Sequence, residues 1–349
     1  MKILMVLSSS RFSGAENVVC QIINMFRNNT ELEFVYCSCD GEIAKTLAEK
    51  NIAFAPMSDI DPKELKRVIS EVKPDIIHAH DMRASFVAAR ACGKIPMISH
   101  IHNNAFDARK ITPKSVAYLY AAKKAKHIFW VSNSSLEGYI FRKSVAKKSD
   151  VLYNIIDVNE LYQRMLSDSE EYSYDIIYLG RLSYPKNPQR LMTVFSKVIA
   201  KKPDVKIAVV GTGELEAETK ALAKEFGIEE NIDFLGFRSN PSKILHSSKV
   251  MIMTSRWEGT PMCALEAMAL KVPIISTPVD GLKDLVINGE TGYLSDNDDE
   301  LADRIVEVIN NKELHERLSA NIYEKALKYN DVEIYSNRIY NEYKKVKGN

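Results

Sequence analysis

The chain has 349 residues, about two to three times a typical domain length, so two cores are expected. It is 46% hydrophobic and 27% charged with 14 Gly and 12 Pro, which excludes disordered, collagen-like and disulfide-scaffold classes. Forty-seven Lys and Arg against 46 Asp and Glu leave a formal net charge of +1, so no bulk field draws the molecule to nucleic acid. The halves differ, because residues 1–170 carry a charge of +4 and the rest −3. Between Arg109 and Lys148, ten Lys and Arg face one acid, Glu137.

Short β-branched runs alternate with helix-length amphipathic segments to about residue 330, the pattern of βα units around parallel sheets. Lys2 precedes only five apolar residues before three serines, too short for a signal peptide. Strands are predicted at 3–7, 34–37, 76–78, 96–100, 128–131 and 151–153, with helices near 15–27, 42–50, 62–72, 82–92, 113–124 and 133–142. A polar stretch at 167–173 reads as the linker between a first domain, 1–166, and a second, 174–330. Behind it, strands are expected at 176–179, 205–210, 232–235, 250–253 and 273–276, and helices near 188–200, 214–226, 241–247, 261–270, 299–309 and 312–328. A last helix, 331–345, follows. The implied architecture is α/β, two doubly wound Rossmann-like domains facing a central cleft, with ligands at the carboxyl ends of both sheets. No apolar run is long enough to span a membrane, and five cysteines without a C-x-x-C pair point to a reducing compartment. A cytoplasmic protein is expected, with membrane contact made from its surface.

The loops after strands carry the chemistry. After 250–253 come Ser255, Glu258 and Gly259, then Thr260 as a natural N-cap and Pro261 as a first helical residue. That helix start would offer the amides of Met262, Cys263 and Ala264 to phosphate oxygens. Glu258 in the loop and Glu266 a turn inside the helix suit hydrogen bonds from sugar or ribose hydroxyls, or are simply a loop and a helix carboxylate. After 176–179, Gly180, Arg181, Lys186, Asn187 and Pro188 place two cations around a strand-to-helix turn, where they could face a diphosphate or only solvent. Gly211 and Gly213 follow a strand like the first glycines of a dinucleotide fingerprint, but Glu216 stands where the third belongs. Ser13, Gly14 and Ala15 open a helix after the first strand, as an amide-rich approach or a plain turn.

Two H-x-H pairs, His78 with His80 and His100 with His102, invite a zinc reading, yet spacing supplies no third carboxylate or cysteine. His102 reads as a hydrogen-bond donor into the cleft and His78 as a core residue. Asp59 and Asp61 form a D-x-D, but Pro62 follows at once, so Asp61 is read as an N-cap and not as a metal ligand. The basic 109–148 region, with Tyr118 and Tyr120, suits an anionic membrane surface or a lipid diphosphate, against a plain solvated face.

In this order and at these distances the residues resemble glycosyltransferase family 4, the retaining nucleotide-sugar transferases of GT-B fold, over essentially the whole chain. Glu258 and Glu266 form the E-x7-E pair, Lys186 follows Arg181 by five residues, and Asp75, Asn154, Asp157 and Asn288 stand at further landmarks. The resemblance implies that Arg181 and Lys186 hold a donor diphosphate beside Gly180, that Glu266 holds the ribose and Glu258 the transferred sugar, and that the base lies near Gly211, Phe237 and Arg238. Ser13, Gly14, Ala15, His80 and Asn103 fall on the acceptor side, and His102 meets the sugar at its reacting face. It implies front-face retention with no metal and no cofactor, a UDP-sugar as donor, and a polyprenyl-diphosphate-linked glycan as acceptor in capsule, exopolysaccharide or lipopolysaccharide assembly. A sugar-nucleotide epimerase and a non-catalytic nucleotide-sugar-binding protein are the alternatives. The chain departs from the pattern at Ser13, at Ile155 after Asn154, and at Asp280 and Asp284 around Gly281.

Overall fold

The computed structural model describes residues 1–102 and 106–348, which form two compact units. One comprises Met1–Ile155 with the residues from Val332 onward, and the other Ile156–Asp331. The division falls before the polar stretch at 167–173, not within it. An unpredicted helix, Val158–Leu166, explains the difference, because it packs on the helices Ser242–His246 and Met262–Ala269 of the second unit. Asn240 Nδ2 adds a hydrogen bond to the Arg164 carbonyl at 2.7 Å. Where the chain enters and leaves this unit, the Ile156 amide donates to Asn330 Oδ1 at 2.9 Å.

The first unit's sheet contains β1 (Lys2–Val6), β2 (Glu33–Cys37), β3 (Ile76–His80), β4 (Met97–Ile101), β5 (His127–Trp130) and β6 (Ser149–Val151), all parallel, in the order β2-β1-β3-β4-β5-β6. Its central strands are buried on both faces, although β3 and β4 carry His78, His80, Ser99 and His100 among their apolar residues. One face carries Leu4, Val6, Ile77, Ala79 and Ile101 into an aliphatic core under Val87, Ala88 and Ala121. Against the other lies the final helix, Val332–Gly348, whose Tyr335, Ile339, Tyr343 and Val346 are buried in a repeat of three to four residues. The predicted helix at 133–142 is broken into Asn133–Gly138 and Arg142–Val145.

The second sheet contains β7 (Tyr174–Leu179), β8 (Ile207–Val210), β9 (Ile232–Gly236), β10 (Ser248–Met253), β11 (Ile274–Ser276) and β12 (Gly292–Leu294), in the order β12-β11-β10-β7-β8-β9. Sequence reasoning passes over β12, three residues that open on Gly292, and the short helix Asp280–Leu285. The strand order reverses between β7 and β10, and in the first sheet between β1 and β3, so each sheet has one point where successive loops diverge and leave a crevice.

Gly211, at the end of β8, has φ +131°, and a Cβ there would lie 2.0 Å from the Gly180 carbonyl oxygen. At Gly213 a Cβ would meet the Leu182 carbonyl at 2.1 Å. These glycines let the loops after β7 and β8 lie backbone to backbone, a packing role that needs no third fingerprint glycine. Ile339 is fully buried under the first sheet, and Ile339→Ala is expected to cost about 2–5 kcal/mol. The midpoint of urea unfolding of the first unit measures it.

Candidate active site

The reversal point of the second sheet brings together the loops after β7 and β10. The first ends in the 3-10 turn Tyr184–Lys186, and the second runs to the helix Met262–Ala269. Lys186 Nζ lies 2.6 Å from Glu258 Oε1, which also accepts a hydrogen bond from Ser255 Oγ at 2.5 Å. Glu258 is 7% exposed. Burial alone would lower the Lys186 pKa, but the facing Glu258 outweighs it and holds the ammonium above its ordinary value. Each charge is tolerable here because the other is present, and removing either strands its partner.

Cys263, in the first turn of the helix, lies within electrostatic reach of Lys186, Glu258 and Glu266, and burial pushes its thiol up to about 12. Burial also raises the Glu266 carboxyl, opposed by Arg164 from the helix Val158–Leu166. The two glutamates of the spaced pair therefore surround one helix start, as their spacing implies. The cap differs from expectation. The helix begins at Met262 with Pro261 at the N-cap position and Thr260 one residue further out. The Ala264 amide donates to the Pro261 carbonyl at 3.1 Å in a tight turn, which removes it from the expected phosphate-facing set. Gly259 is crossed closely by Gly281, where a Cβ would lie 1.5 Å from the Gly259 carbonyl oxygen. The glycine at 281 is therefore held by this loop crossing.

Arg181 is exposed, near enough to Lys186 for the two positive charges to oppose each other, and its carbonyl accepts from Tyr178 Oη at 2.8 Å beside Gly180. Gly211 donates its amide to the Gly236 carbonyl at 2.8 Å, so the ends of β8 and β9 are joined, with Phe237 62% exposed and Arg238 exposed beyond them. Asn187 stands before the helix Pro188–Lys201 as predicted, but in the left-handed region, φ 55°, and its side chain does not cap. Instead its Oδ1 accepts from Arg256 Nη2 at 2.8 Å.

Sequence reasoning misses Arg256. Its amide donates to Pro185 O at 2.8 Å, its Nε to Tyr184 O at 3.1 Å, and its guanidinium lies 4.5 Å over the Tyr184 ring. One side chain thus ties the loop that carries Lys186 to the loop that carries Glu258. Nothing in the local pattern announces it, since the bonded groups are 69–72 residues away, mostly backbone.

The first unit groups its own candidates. Ser13 occupies the N-cap position of the helix Gly14–Met25, but its hydroxyl donates to the buried Glu16 side chain and caps no amide. Nothing lies within 4 Å of a Cβ built on Gly14, so within this unit no close approach requires glycine there, and Ala15 is half-buried beside it. His80 is fully buried, with Nδ1 2.8 Å from His102 Nε2. Strand alternation turns His80, expected on the acceptor side, onto the covered sheet face behind His102. Burial lowers His102 to about 3, opposed by Asn154, so its imidazole is neutral. Asn103 lies outside the described residues. Asp81, not singled out in the sequence, has φ 78°, caps the next helix at Ala84 N (2.8 Å) and accepts from Ser8 Oγ across the reversal point of the first sheet. Asp61 caps the helix Pro62–Val72 through Lys63 N at 2.6 Å, the cap reading of the D-x-D.

Arg256→Ala is expected to loosen both loops while the chain stays folded. Amide exchange of residues 184–187 and 255–258 should quicken about ten- to a hundredfold, the loss of about 1.4–2.8 kcal/mol in a few hydrogen bonds to a charged group. Exchange mapped by mass spectrometry measures it.

Two family models match the chain, "Glycosyl transferases group 1" over residues 164–325 and "Glycosyltransferase Family 4" over 12–160. Among curated relatives, the chain is 30% identical to a Campylobacter jejuni N-acetylgalactosaminyltransferase acting on a diphospho-undecaprenol substrate, over 59% of this chain and 55% of that protein. It is 28% identical to the Escherichia coli UDP-Gal:α-D-GlcNAc-diphosphoundecaprenol α-1,3-galactosyltransferase, over 72% and 70%. Against the first curated relatives the match spans little more than half their length. In three dimensions it resembles Anabaena HepE in complex with UDP-glucose, with a TM-score of 0.86 at 22% identity, covering 99% of this chain and 100% of that one. A sucrose-phosphate synthase from Thermosynechococcus elongatus follows the same fold, with a TM-score of 0.80 at 15% identity. With one model seated on each half and the fold shared end to end, the chain belongs to the group 1, family 4 glycosyltransferases of GT-B fold.

Proposed function

We propose that this protein transfers a hexose or N-acetylhexosamine from a nucleotide sugar, a UDP-sugar, with retention of configuration to a hydroxyl of a lipid-linked glycan. The observation that carries the reading is the Lys186–Glu258 pair, 2.6 Å apart at the reversal point of the second sheet and beside a helix start. When a donor enters, its diphosphate takes Lys186 and Arg181 as counter-cations, and Glu258 is released to accept hydrogen bonds from sugar hydroxyls. Glu266 accepts from the ribose. The bond between the anomeric carbon and the phosphate oxygen breaks with its electron pair passing to the diphosphate, whose charge the two cations neutralise. The acceptor oxygen bonds to the same face of that carbon, and its proton goes to the departing phosphate oxygen. No nucleophilic carboxylate and no divalent cation take part.

The relatives that act on diphosphoundecaprenol substrates support a polyprenyl-linked acceptor, and relatives of capsule and lipopolysaccharide assembly support the biosynthetic setting. The first unit's basic region supports a docking face for anionic lipid. Ile111, Val116, Tyr120 and Ile140 are exposed among Arg109, Lys110, Lys114, Lys123, Arg142 and Lys143. Among the described residues no helix is long and apolar enough to cross a membrane.

Donor binding by calorimetry and turnover across UDP-, GDP- and ADP-sugars, with EDTA present, test the donor site. One UDP-sugar is expected to bind without metal. Lys186→Ala and Glu258→Ala should each lower turnover about 10²–10³-fold, and donor consumption without an acceptor in wild type would favour an epimerase instead. Co-sedimentation with vesicles tests the docking face. Binding should require anionic lipid, fall as salt rises, and weaken in a Lys110→Glu, Arg142→Glu, Lys143→Glu variant.

A further inference from the structure

Five of the seven histidines lie on one face of the first sheet. His78 and His80 alternate along β3, His100 pairs in register with His80 on β4, His102 follows it, and His127 pairs with Ile98. The final helix covers this face, with Tyr343 against His78 and Glu342 against His127. One ring nitrogen from each of His78, His80 and His100 lies within 4.8 Å of the other two, and all three residues are fully buried.

The hydrogen bonds around them are ordered outward. His78 Nδ1 meets Tyr343 Oη at 2.7 Å, and that hydroxyl points its own proton at Met5 Sδ, 3.9 Å away. With Nδ1–H donating to that hydroxyl, Nε2 of His78 carries the lone pair. The same tautomer at His80, Nδ1–H donating to His102 Nε2, leaves a lone pair on Nε2 there too. Neither Nε2 has a partner, and neither nitrogen of His100 has one. Three buried imidazoles therefore bring ring nitrogens without hydrogen-bond partners close together, which is costly for a core. An imidazole that donates its far N–H outward and turns its bare nitrogen inward is the arrangement of a metal-ligating histidine.

We propose that His78, His80 and His100 bind one zinc ion, or a divalent transition metal of the same borderline softness, as a structural site in the first unit. Three imidazole nitrogens suit zinc, and the fourth position falls to water. The ligands enter neutral, so no proton has to leave. The rings of His78 and His80 stack at 4.2 Å between centroids. A tetrahedral set needs its nitrogens about 3.4 Å apart, so binding turns the imidazoles about their outer bonds and opens the stack. The site borders His102 through the His80 contact, but its test reads metal content and stands or falls without the sugar-transfer reading.

The test is metal content of the purified full chain after growth in zinc-supplemented medium, followed by growth with cobalt for visible spectroscopy. Wild type is expected to hold about one equivalent per chain and to show the intense bands of four-coordinate cobalt. His100→Leu should lose that equivalent and the bands. A His246→Ala, His315→Ala double variant should keep both, since these histidines bond to the Leu270 and Lys249 carbonyls elsewhere. Metal lost with the surface pair and kept in His100→Leu overturns the site. So does a folded wild type without metal, in which case His100→Leu should raise the unfolding midpoint, because an orphaned imidazole has been replaced by a hydrocarbon. Should His100→Leu fail to fold, the wild-type cobalt spectrum decides, weak six-coordinate bands or none refuting the proposal.

Discussion

A half-buried ammonium and a buried carboxylate from loops 72 residues apart must find each other, or neither is tolerable where it stands. Lys186 and Glu258 meet that demand at 2.6 Å. Around the pair, the Gly211 approach to the Gly180 carbonyl, the Gly281 approach to Gly259 and the Arg256 clamp all serve to hold the two loops at one distance. In the proposed donor complex a diphosphate with its sugar would replace the internal pairing group for group, anion on the lysine and hydroxyls on the glutamate. The resting contact keeps both loops charged and assembled.

The first unit solves a different problem. Its sheet has one apolar face, packed by aliphatic and aromatic side chains, and one face carrying histidines, and the final helix covers the latter. Tyr343 is fully buried there and supplies the oxygen that His78 needs, while Glu342 lies 3.3 Å from His127. That helix is thus bound to its sheet by matched polar groups as well as by Ile339 and Val346. Such matching specifies which surface the chain's last segment may cover.

Much of this was legible in one dimension. The βα alternation, eleven of the twelve strands, and the E-x7-E spacing with its two preceding cations are local or nearly local patterns, since a buried parallel strand must be apolar and a helix start has a short signature. Asp61 reads as a cap because proline follows it. The unit boundary did not, because the helix Val158–Leu166 lies before the polar stretch and only partners such as Asn240, 76 residues away, assign it to the second unit. Thr260 and Asn187 looked like caps. Their neighbours decided otherwise, in one case through an arginine that the sequence does not mark.

The sequence by itself determined the α/β class, the family and the residue types at the loops after β7 and β10, because periodicity and short spacings encode them. Tertiary structure alone decided which side chains touch. Lys186 to Glu258, Arg256 to Asn187, His80 to His102 and His78 to Tyr343 join residues 22 to 265 positions apart. Their meeting depends on strand order and register, and these follow from how whole sheets bury their faces. No local run of residues carries that information.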